Sequence, residues 1–576
     1  LPMQITGAEL LVKALQAEKV DMLFAYPGGQ VIDIFDALYG VEEFDVMIPR
    51  HEQALIHAAD GYARSTGKTG VCLVTSGPGA ANLVTGIATA NYDSVPLVCF
   101  TGQVPTCMMG QNAFQEVDIV SITKSISKYA VTVRTREELA VTIKKAFAIA
   151  QTGKPGVVVV DLPKDIQQAL GSDDYPETAE VLEAASGPVI CREQVDMVSE
   201  YLDKAARPLF LLGGGVNISH ANREMIKLVE RAGIPVVSTI MGKGAVPTGH
   251  PLYIGNIGIH GSYAANTAVS ECDLLIAIGV RFNDRVTGKV SEFAKNAVII
   301  RIDIDPDSIS GNVPVDLSIE ADAKDAVMAL LAKIPVLDFE RWVTKITKWE
   351  KRNPLGSEQK SRKAVTPLSV IKKINEIYDD AVITTDVGQN QLWTTQFLEL
   401  TQKKQLITSG GLGTMGFGFP AAIGAKLGNP AKDVISINGD GGIQMNIQEM
   451  ATAVVYELPV VICIFNNGYL GNVRQWQEMF FDKRYAGTCL RYRKSCQKTC
   501  SNPTVHCPEY VPDFIQLAKS YGAWAVRVWK YEDIEYALKE AKNRKKVPSV
   551  IEFMIEREEN VLPIVPPGSP VCDMIV

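Results

Sequence analysis

Between Asn438 and Asn467 the chain carries oxygen donors and glycines in a pattern suited to holding a hard cation and a diphosphate. A strand-like run, Asp433–Ile437, ends in Asn438-Gly439-Asp440-Gly441-Gly442, and a second, Pro459–Phe465, ends in Asn466-Asn467-Gly468. Gly441 and Asn466 are separated by 24 residues, 442–465, the length of one helix-and-strand unit. That spacing should bring Asp440 and the Asn pair to neighbouring strand ends, with a helix expected from about Asn446. Carboxylate, amide and phosphate oxygens suit Mg2+, and glycines let backbone N–H groups approach a phosphate. Gly-Asp-Gly alone would be an ordinary turn; the spaced Asn pair is what points to a site.

Other segments offer chemistry less specifically. Glu52, in Pro49-Arg50-His51-Glu52-Gln53, stands at a helix start, where an acid also simply favours the helix dipole. Thr75-Ser76-Gly77-Pro78-Gly79-Ala80-Ala81-Asn82 follows a strand and opens a helix, but it lacks the third glycine of a dinucleotide fingerprint. Gly213-Gly214-Gly215 also follows a strand. Arg281 and Arg285 share one Gly-bounded loop and suit phosphates or carboxylates. His260 alone reads as a structural histidine, and Trp476 with Phe480, four residues apart, as helix packing. Ser65-Thr66-Gly67-Lys68-Thr69 is not a P-loop, because Gly61 is one residue too far upstream and the segment ends a helix. No Gly-x-Ser-x-Gly elbow occurs. Cys489, Cys496, Cys500 and Cys507 form a cluster without a Cys-x-x-Cys pair, so thiols in a basic insertion are expected in preference to zinc or iron–sulfur ligands. Arg491, Arg493, Lys494 and Lys498 would make such thiols more reactive.

The elements that must position these residues alternate between short β-rich runs and longer helical patterns, which signals parallel α/β sheets. Strands are expected at Met22–Ala25, Val71–Thr75, Pro96–Thr101 and Gly156–Leu162, with helices such as Ala8–Glu18, Glu52–Arg64 and Glu137–Ala150 around them. A second block has Pro208–Leu212, Val236–Ile240, Leu274–Ile278 and Val298–Ile304; a third has Ala381–Thr385, the two runs above and Ser549–Phe553. Polar stretches at Gly171–Gly187 and Lys345–Lys363 read as linkers. The fold class is therefore α/β, with three doubly wound, mainly parallel domains over 1–170, 188–340 and 365–560 and a tail over 561–576. The first and third blocks are alike enough for an ancient duplication to be conceivable.

Composition excludes classes of function without naming one. A chain of 576 residues is too long for one core. A net charge of −8 argues against a nucleic-acid surface, and no apolar run approaches membrane-spanning length. Eleven Cys are few for a secreted disulfide scaffold, six His disfavour a His-based metal cluster, and the N-terminus lacks a signal peptide. The expected location is a reducing bacterial cytoplasm, and Leu1-Pro2 is expected to be a cloning remnant.

Taken together, the motifs resemble those of thiamine-diphosphate-dependent enzymes, and within them the catalytic subunit of acetohydroxyacid synthases. The resemblance rests on Gly439-Asp440-Gly441 with Asn466-Asn467, on Gly410-Gly411-Leu412-Gly413-Thr414-Met415-Gly416-Phe417-Gly418, and on Asn472-Val473-Arg474-Gln475-Trp476-Gln477. Ala113-Phe114-Gln115-Glu116, Arg281-Phe282-Asn283-Asp284-Arg285-Val286-Thr287-Gly288 and Asn560-Val561-Leu562-Pro563 extend it over essentially the whole chain.

The resemblance implies decarboxylation of pyruvate on thiamine diphosphate and condensation with a second 2-ketoacid, pyruvate or 2-ketobutyrate, in branched-chain amino-acid synthesis. It implies thiamine diphosphate, Mg2+ and FAD as cofactors, the last structural. Glu52 would bond the aminopyrimidine and promote loss of the ring proton, Gln115 would assist, and Met415 would hold the cofactor bent. Asp440, Asn467 and the main chain of Tyr469 would hold the metal. Tyr26, Pro27, Gly28, Thr75 and Asn82 would meet one end of the cofactor. Val387, Gly388, Gln389, Asn390, Gly413, Gly439, Gly441, Gly442, Gly471 and Val473 would meet the other; a His is common where Asn390 stands. Gly213, Gly214, Gly215, Thr239, His260, Gly279, Arg281, Asp303 and Asp322 would bind FAD, although Asp303 also reads as a turn residue. Gly29, Arg285, Trp476 and Phe480 would meet substrate. Gln30, Ile259 and Asn472 depart from the family's usual residues. The family builds its sites between subunits, which implies a homodimer or tetramer, and a small regulatory subunit is possible. A FAD-dependent pyruvate oxidase is the alternative reading.

Overall fold

The computed structural model describes residues 4–178, 189–306, 312–356, 364–500 and 506–576. Leu1-Pro2 (expected to be a remnant), most of the first linker, the end of the second and part of the cysteine insertion lie outside the described residues.

Three six-stranded sheets, every neighbouring pair parallel, follow one another along the chain. The first is ordered β3-β2-β4-β5-β7-β6, from β2 (Met22–Ala25), β3 (Asp45–Met47), β4 (Gly70–Val74), β5 (Leu97–Gln103), β6 (Tyr129–Thr132) and β7 (Val157–Pro163). A small antiparallel pair, β1 (Gln4–Thr6) with β8 (Leu170–Ser172), ties the N-terminus to the end of this domain. The middle sheet is β11-β10-β9-β12-β13-β14, from β9 (Pro208–Leu212), β10 (Val236–Ser238), β11 (Tyr253–Asn256), β12 (Leu274–Ile278), β13 (Val298–Asp303) and β14 (Leu317–Glu320). The last is β16-β15-β17-β18-β20-β19, from β15 (Ala381–Thr385), β16 (Gln405–Thr408), β17 (Asp433–Gly439), β18 (Val460–Asn466), β19 (Trp524–Val528) and β20 (Ser549–Met554). The first and last sheets thus share one strand order, and the middle sheet has another.

All twelve expected strands form, and they are the four inner strands of each sheet. Within these three sheets, the six strands that the pattern does not announce are the six edges. The inner strands are buried along their length apart from half-exposed ends, whereas β3, β6, β11, β14, β16 and β19 are largely half-exposed or exposed. Parallel inner strands, covered on both faces, read as continuous apolar runs; edges do not.

Each sheet order reverses direction among its inner strands, and strand-end loops there frame a crevice. In the first sheet the crevice lies beyond β2 and β4, in the middle sheet beyond β9 and β12, and in the last beyond β15 and β17. Candidate residues Tyr26–Gly29 and Thr75, Gly213–Gly215 and Gly279, and Val387–Asn390 and Gly439–Gly442 occupy these crevices.

The first and last sheets share a core across two helices, Glu52–Thr66 and Gly418–Gly428. Their backbones meet where glycine is required by contact: a methyl group on Gly61 would stand 2.1 Å from Ala421 O, and one on Gly424 1.7 Å from Ala58 O. Gly61, which fails as a P-loop glycine, serves this packing. Two expectations need correction. Residues 345–352 of the supposed second linker belong to a helix, Glu340–Arg352, whose Trp342 and Ile346 are buried. The helix expected from Asn446 is two short 3-10 turns followed by Met450–Val455. Among the described residues no helix is long and apolar enough to cross a membrane.

Candidate active site

The crevice of the last sheet holds a cavity of about 150 Å³. It is lined by Val387–Asn390, Trp393, Met415, Gly439–Gly442, Asn467 and Tyr469–Val473, among others. Asp440 is 1% exposed and sits between two loops: its Oδ2 accepts from Gly468 N at 2.8 Å and its Oδ1 from Gly441 N at 3.1 Å. Burial pushes its carboxyl up to about 7 against the pull of those N–H donors. Asn467 Oδ1 accepts from Tyr469 N at 3.0 Å, and its Nδ2 donates to Gln389 Oε1 at 3.1 Å. The β17 and β18 ends thus bring a carboxylate, an amide oxygen and the Gly468–Tyr469 main chain into one turn. An oxygen set of this kind fits Mg2+, which would keep Asp440 ionised.

The framework of this cavity is equally specific. Arg557 donates from Nε to Asn467 O at 3.2 Å and lies 4.6 Å over the Tyr469 ring. Both amide hydrogens of Asn390 go to main-chain carbonyls, Asp386 O and Ile437 O, while its Oδ1 faces Gly388 and Gly439. Asp386 is fully buried and accepts from Val387 N at 2.7 Å and from Gly416 N at 3.0 Å by both oxygens. Burial raises its carboxyl to about 6. Met415 therefore projects from a clamped loop, and its Cε lies 3.8 Å from where a side chain on Gly441 would begin.

The crevice of the first sheet gathers a separate group. Glu52 opens its helix behind the His51 cap, and its Oε2 accepts from Asn82 Nδ2 at 2.9 Å. A methyl group on Gly79 would stand 3.5 Å from Glu52 Oε1. Thr75 Oγ1 accepts from Gln30 N at 3.2 Å and blocks any side chain at Gly28. Gln115 adopts a left-handed φ of 59° and packs its backbone on Gly77. None of Tyr26, Pro27, Gly28, Gly29, Glu52, Thr75, Asn82 or Gln115 lines either cavity of this chain.

The middle crevice opens into a cavity of about 790 Å³. Gly213–Gly215, Thr239, His260, Gly279, Arg281, Asp303 and Asp322 all line it, as do Arg285 and Trp476. So do Tyr92–Ser94 and Lys154 from the first domain and Ser409–Gly413 from the last. A methyl group on Gly213 would stand 2.0 Å from Gly279 O, so the loops after β9 and β12 come this close only because both are bare backbone. Asp322 Oδ1 caps a helix through Lys324 N at 2.8 Å, and Asp303 Oδ1 accepts from Asp305 N at 3.0 Å. Asp303 is thus both a turn residue and a lining residue. Buried His260 Nδ1, Asn472 Oδ1 and Trp476 Nε1 have no partner, and all three residues line this cavity. Arg285 lies 5.8 Å over Trp476, and Phe480 meets that ring edge-on at 5.7 Å without lining the cavity. Unsatisfied polar atoms, two cationic side chains and a glycine cradle at a switch point fit a flavin dinucleotide.

Asp93, Asp386 and Arg557 were not among the sequence candidates. Asp386 adjoins a motif residue and is recoverable as a strand-end acid; Asp93 and Arg557 carry no local signal. The cysteine insertion begins beside the cation turn: Leu490 N donates to Gly468 O at 2.9 Å, and Tyr510 Oη accepts from Gln444 Nε2 at 2.8 Å. Among the described residues no three His, Cys, Asp or Glu are grouped to hold a metal.

Three family models match the chain in order. They are the thiamine pyrophosphate enzyme N-terminal TPP-binding domain over residues 5–122, the central domain over 195–330 and the C-terminal TPP-binding domain over 386–553. The chain is similar to a probable acetolactate synthase large subunit of Methanocaldococcus jannaschii, 44% identical over 99% of this chain and 95% of that protein. The acetolactate synthase large subunit of Haemophilus influenzae is 39% identical over 100% and 98%. The isozyme 3 large subunit of Escherichia coli is 38% identical over 97% and 96%.

Proposed function

The chain belongs to the thiamine pyrophosphate enzymes, as an acetolactate synthase large subunit, and from that premise we propose how its residues divide the work. The observation that carries the proposal is the convergence of Asp440, Asn467 and four strand-end glycines on one small cavity.

Thiamine diphosphate, when bound, supplies a carbon nucleophile and an electron sink that let a 2-ketoacid lose CO2. Asp440, Asn467 and the Tyr469 carbonyl hold Mg2+, and the N–H groups around Gly441 and Gly388 receive the diphosphate. Met415, fixed by Asp386 through Gly416, would press on the bound cofactor from the cavity wall. Glu52, oriented by Asn82, would bond the pyrimidine ring of the bound cofactor, where its carboxyl can hold or release a proton. Gln115, on the loop packed against Gly77, stands on the same side as Glu52. Arg285 receives the carboxylate of the second 2-ketoacid, with Trp476 and Phe480 forming the wall beside it. Keeping water from this pocket prevents premature protonation, which would divert the product to acetaldehyde. FAD occupies the large cavity as a structural group.

The domains accordingly take the roles of pyrimidine side (1–170), flavin side (188–340) and diphosphate side (365–560). An inter-subunit site is supported by Glu52 and its neighbours lining neither cavity of their own chain, so a homodimer, alone or paired into a tetramer, completes the site. The relatives' description as large subunits supports a small regulatory partner. Absence of a membrane-length helix among the described residues is consistent with a cytoplasmic location.

Incubation with pyruvate, with and without 2-ketobutyrate, in the presence of thiamine diphosphate, Mg2+ and FAD tests the reading. It expects 2-acetolactate and 2-aceto-2-hydroxybutyrate. Acetaldehyde alone, or flavin bleaching at the rate of pyruvate consumption, would overturn it.

A further inference from the structure

The loop Ser409–Gly418 is a wall common to both cavities: Gly410–Gly413 face the large one and Met415 the small one. The first domain grips this loop from outside. Asp93 Oδ2 accepts from Gly410 N at 3.1 Å and Oδ1 from Gly411 N at 2.9 Å, and Thr89 Oγ1 meets Thr414 Oγ1 at 2.7 Å. Asp93 is 4% exposed and also accepts from Arg64 Nη2 at 3.1 Å. Its Oδ1 lies 3.7 Å from Nη2 of Arg281, an arginine of the middle domain stacked 5.2 Å over Tyr92. One buried carboxylate is thus shared by all three domains.

There is little slack at this junction. A methyl group on Gly411 would stand 2.6 Å from Tyr92, 2.7 Å from Asp93 Oδ1 and 3.2 Å from Arg281 Nη2. The loop therefore follows Asp93, and the Asp93 charge is divided among the loop N–H groups, Arg64 and, on the side of the large cavity, Arg281. An anionic ligand that draws Arg281 toward the large cavity leaves more of that charge to the loop N–H groups. This tightens the loop that carries Met415.

We propose that Asp93 is a positioning residue that couples the two cavities, so that a flavin dinucleotide in the large one strengthens thiamine diphosphate binding in the small one. The inference rests on the cofactor assignment above. Linkage requires the converse effect to be equal: each cofactor must improve the affinity for the other by the same factor.

Calorimetric titration of the full chain with thiamine diphosphate and saturating Mg2+, with and without FAD, measures that factor, and the reverse titration checks it. The expected factor is about tenfold, within the usual 5–150-fold range of couplings between sites. In Asp93→Asn it should fall toward one while both cofactors still bind. If FAD does not bind the unmodified chain, the cofactor assignment fails and the coupling with it. If both bind but neither affects the other, only the coupling is overturned. A retained factor in Asp93→Asn overturns the role of Asp93. Should circular dichroism show Asp93→Asn unfolded, Arg281→Gln cuts the same link from its half-exposed side, and an unchanged factor there is equally decisive.

Discussion

The two cavities differ in how they are assembled. Every wall of the small one comes from the last domain, in four short runs that begin at strand ends. The large one draws its walls from all three domains and from segments more than 300 residues apart, such as Tyr92 and Gly411. A site built from consecutive residues after two neighbouring strands is precise, because the register of β17 on β18 sets it directly. A site built between domains is as precise only as the packing that joins them, and it can therefore transmit a change from one domain to another. Glu52 lines neither cavity, which in the proposed function separates proton handling from cofactor anchoring.

The largest test of that separation is Glu52→Gln. Turnover should fall by about 10²–10⁴-fold, the range for losing a positioned acid–base group, while calorimetric affinities for Mg2+ and thiamine diphosphate stay close to those of the unmodified chain. A parallel loss of affinity would place Glu52 in the anchoring machinery and break the comparison. Arg557→Met removes the guanidinium behind Asn467 and Tyr469. Titration should show Mg2+ affinity reduced by about 10–100-fold, as for other outer partners of metal ligands, with FAD affinity unchanged.

Gly213→Ala acts on the large cavity alone. The new methyl group meets Gly279 O at 2.0 Å, an overpacking that costs about 1–3 kcal/mol. FAD fluorescence should show the flavin released, while thiamine diphosphate binds as it does to the FAD-free chain. The smallest effect concerns His57, at the packing of the two outer domains. It is fully buried with neither ring nitrogen bonded, 5.4 Å from the Phe417 ring. Burial lowers its pKa from 6.5 to about 3, helped by the Arg64 charge. Between those values the unfolded chain takes up a proton that the folded chain refuses, so stability is lost as pH falls below about 6.5. The loss should be about 1–2 kcal/mol by pH 5. Denaturant melts of His57→Leu at pH 7 and pH 5 should lack that contribution; an unchanged pH slope would assign the acid sensitivity elsewhere.

Legibility in the sequence follows the same division. Inner strands such as Val157–Val160 and Val460–Phe465 appear as apolar runs because both faces are covered, and the cavity of the last domain is legible because Asp440 and Asn467 lie close in the chain. Edge strands such as Tyr129–Thr132 escape the pattern because one flank faces water or a loop, and their residues are mixed accordingly. The part of the helix Glu340–Arg352 from Lys345 onward reads as a linker because its outer face is charged, although Trp342 and Ile346 bury the helix's inner face.

The order of elements, the three-domain architecture, the cation turn and the identity of the residues at each strand end are properties of the sequence itself, because they depend on local pattern and short spacing. The reversal of strand order that turns those ends into crevices, the grip of Asp93 on a loop more than 300 residues away and the exclusion of Glu52 from both cavities were decided by tertiary structure alone. Their cause is contact between segments whose separation along the chain carries no information about their proximity in space.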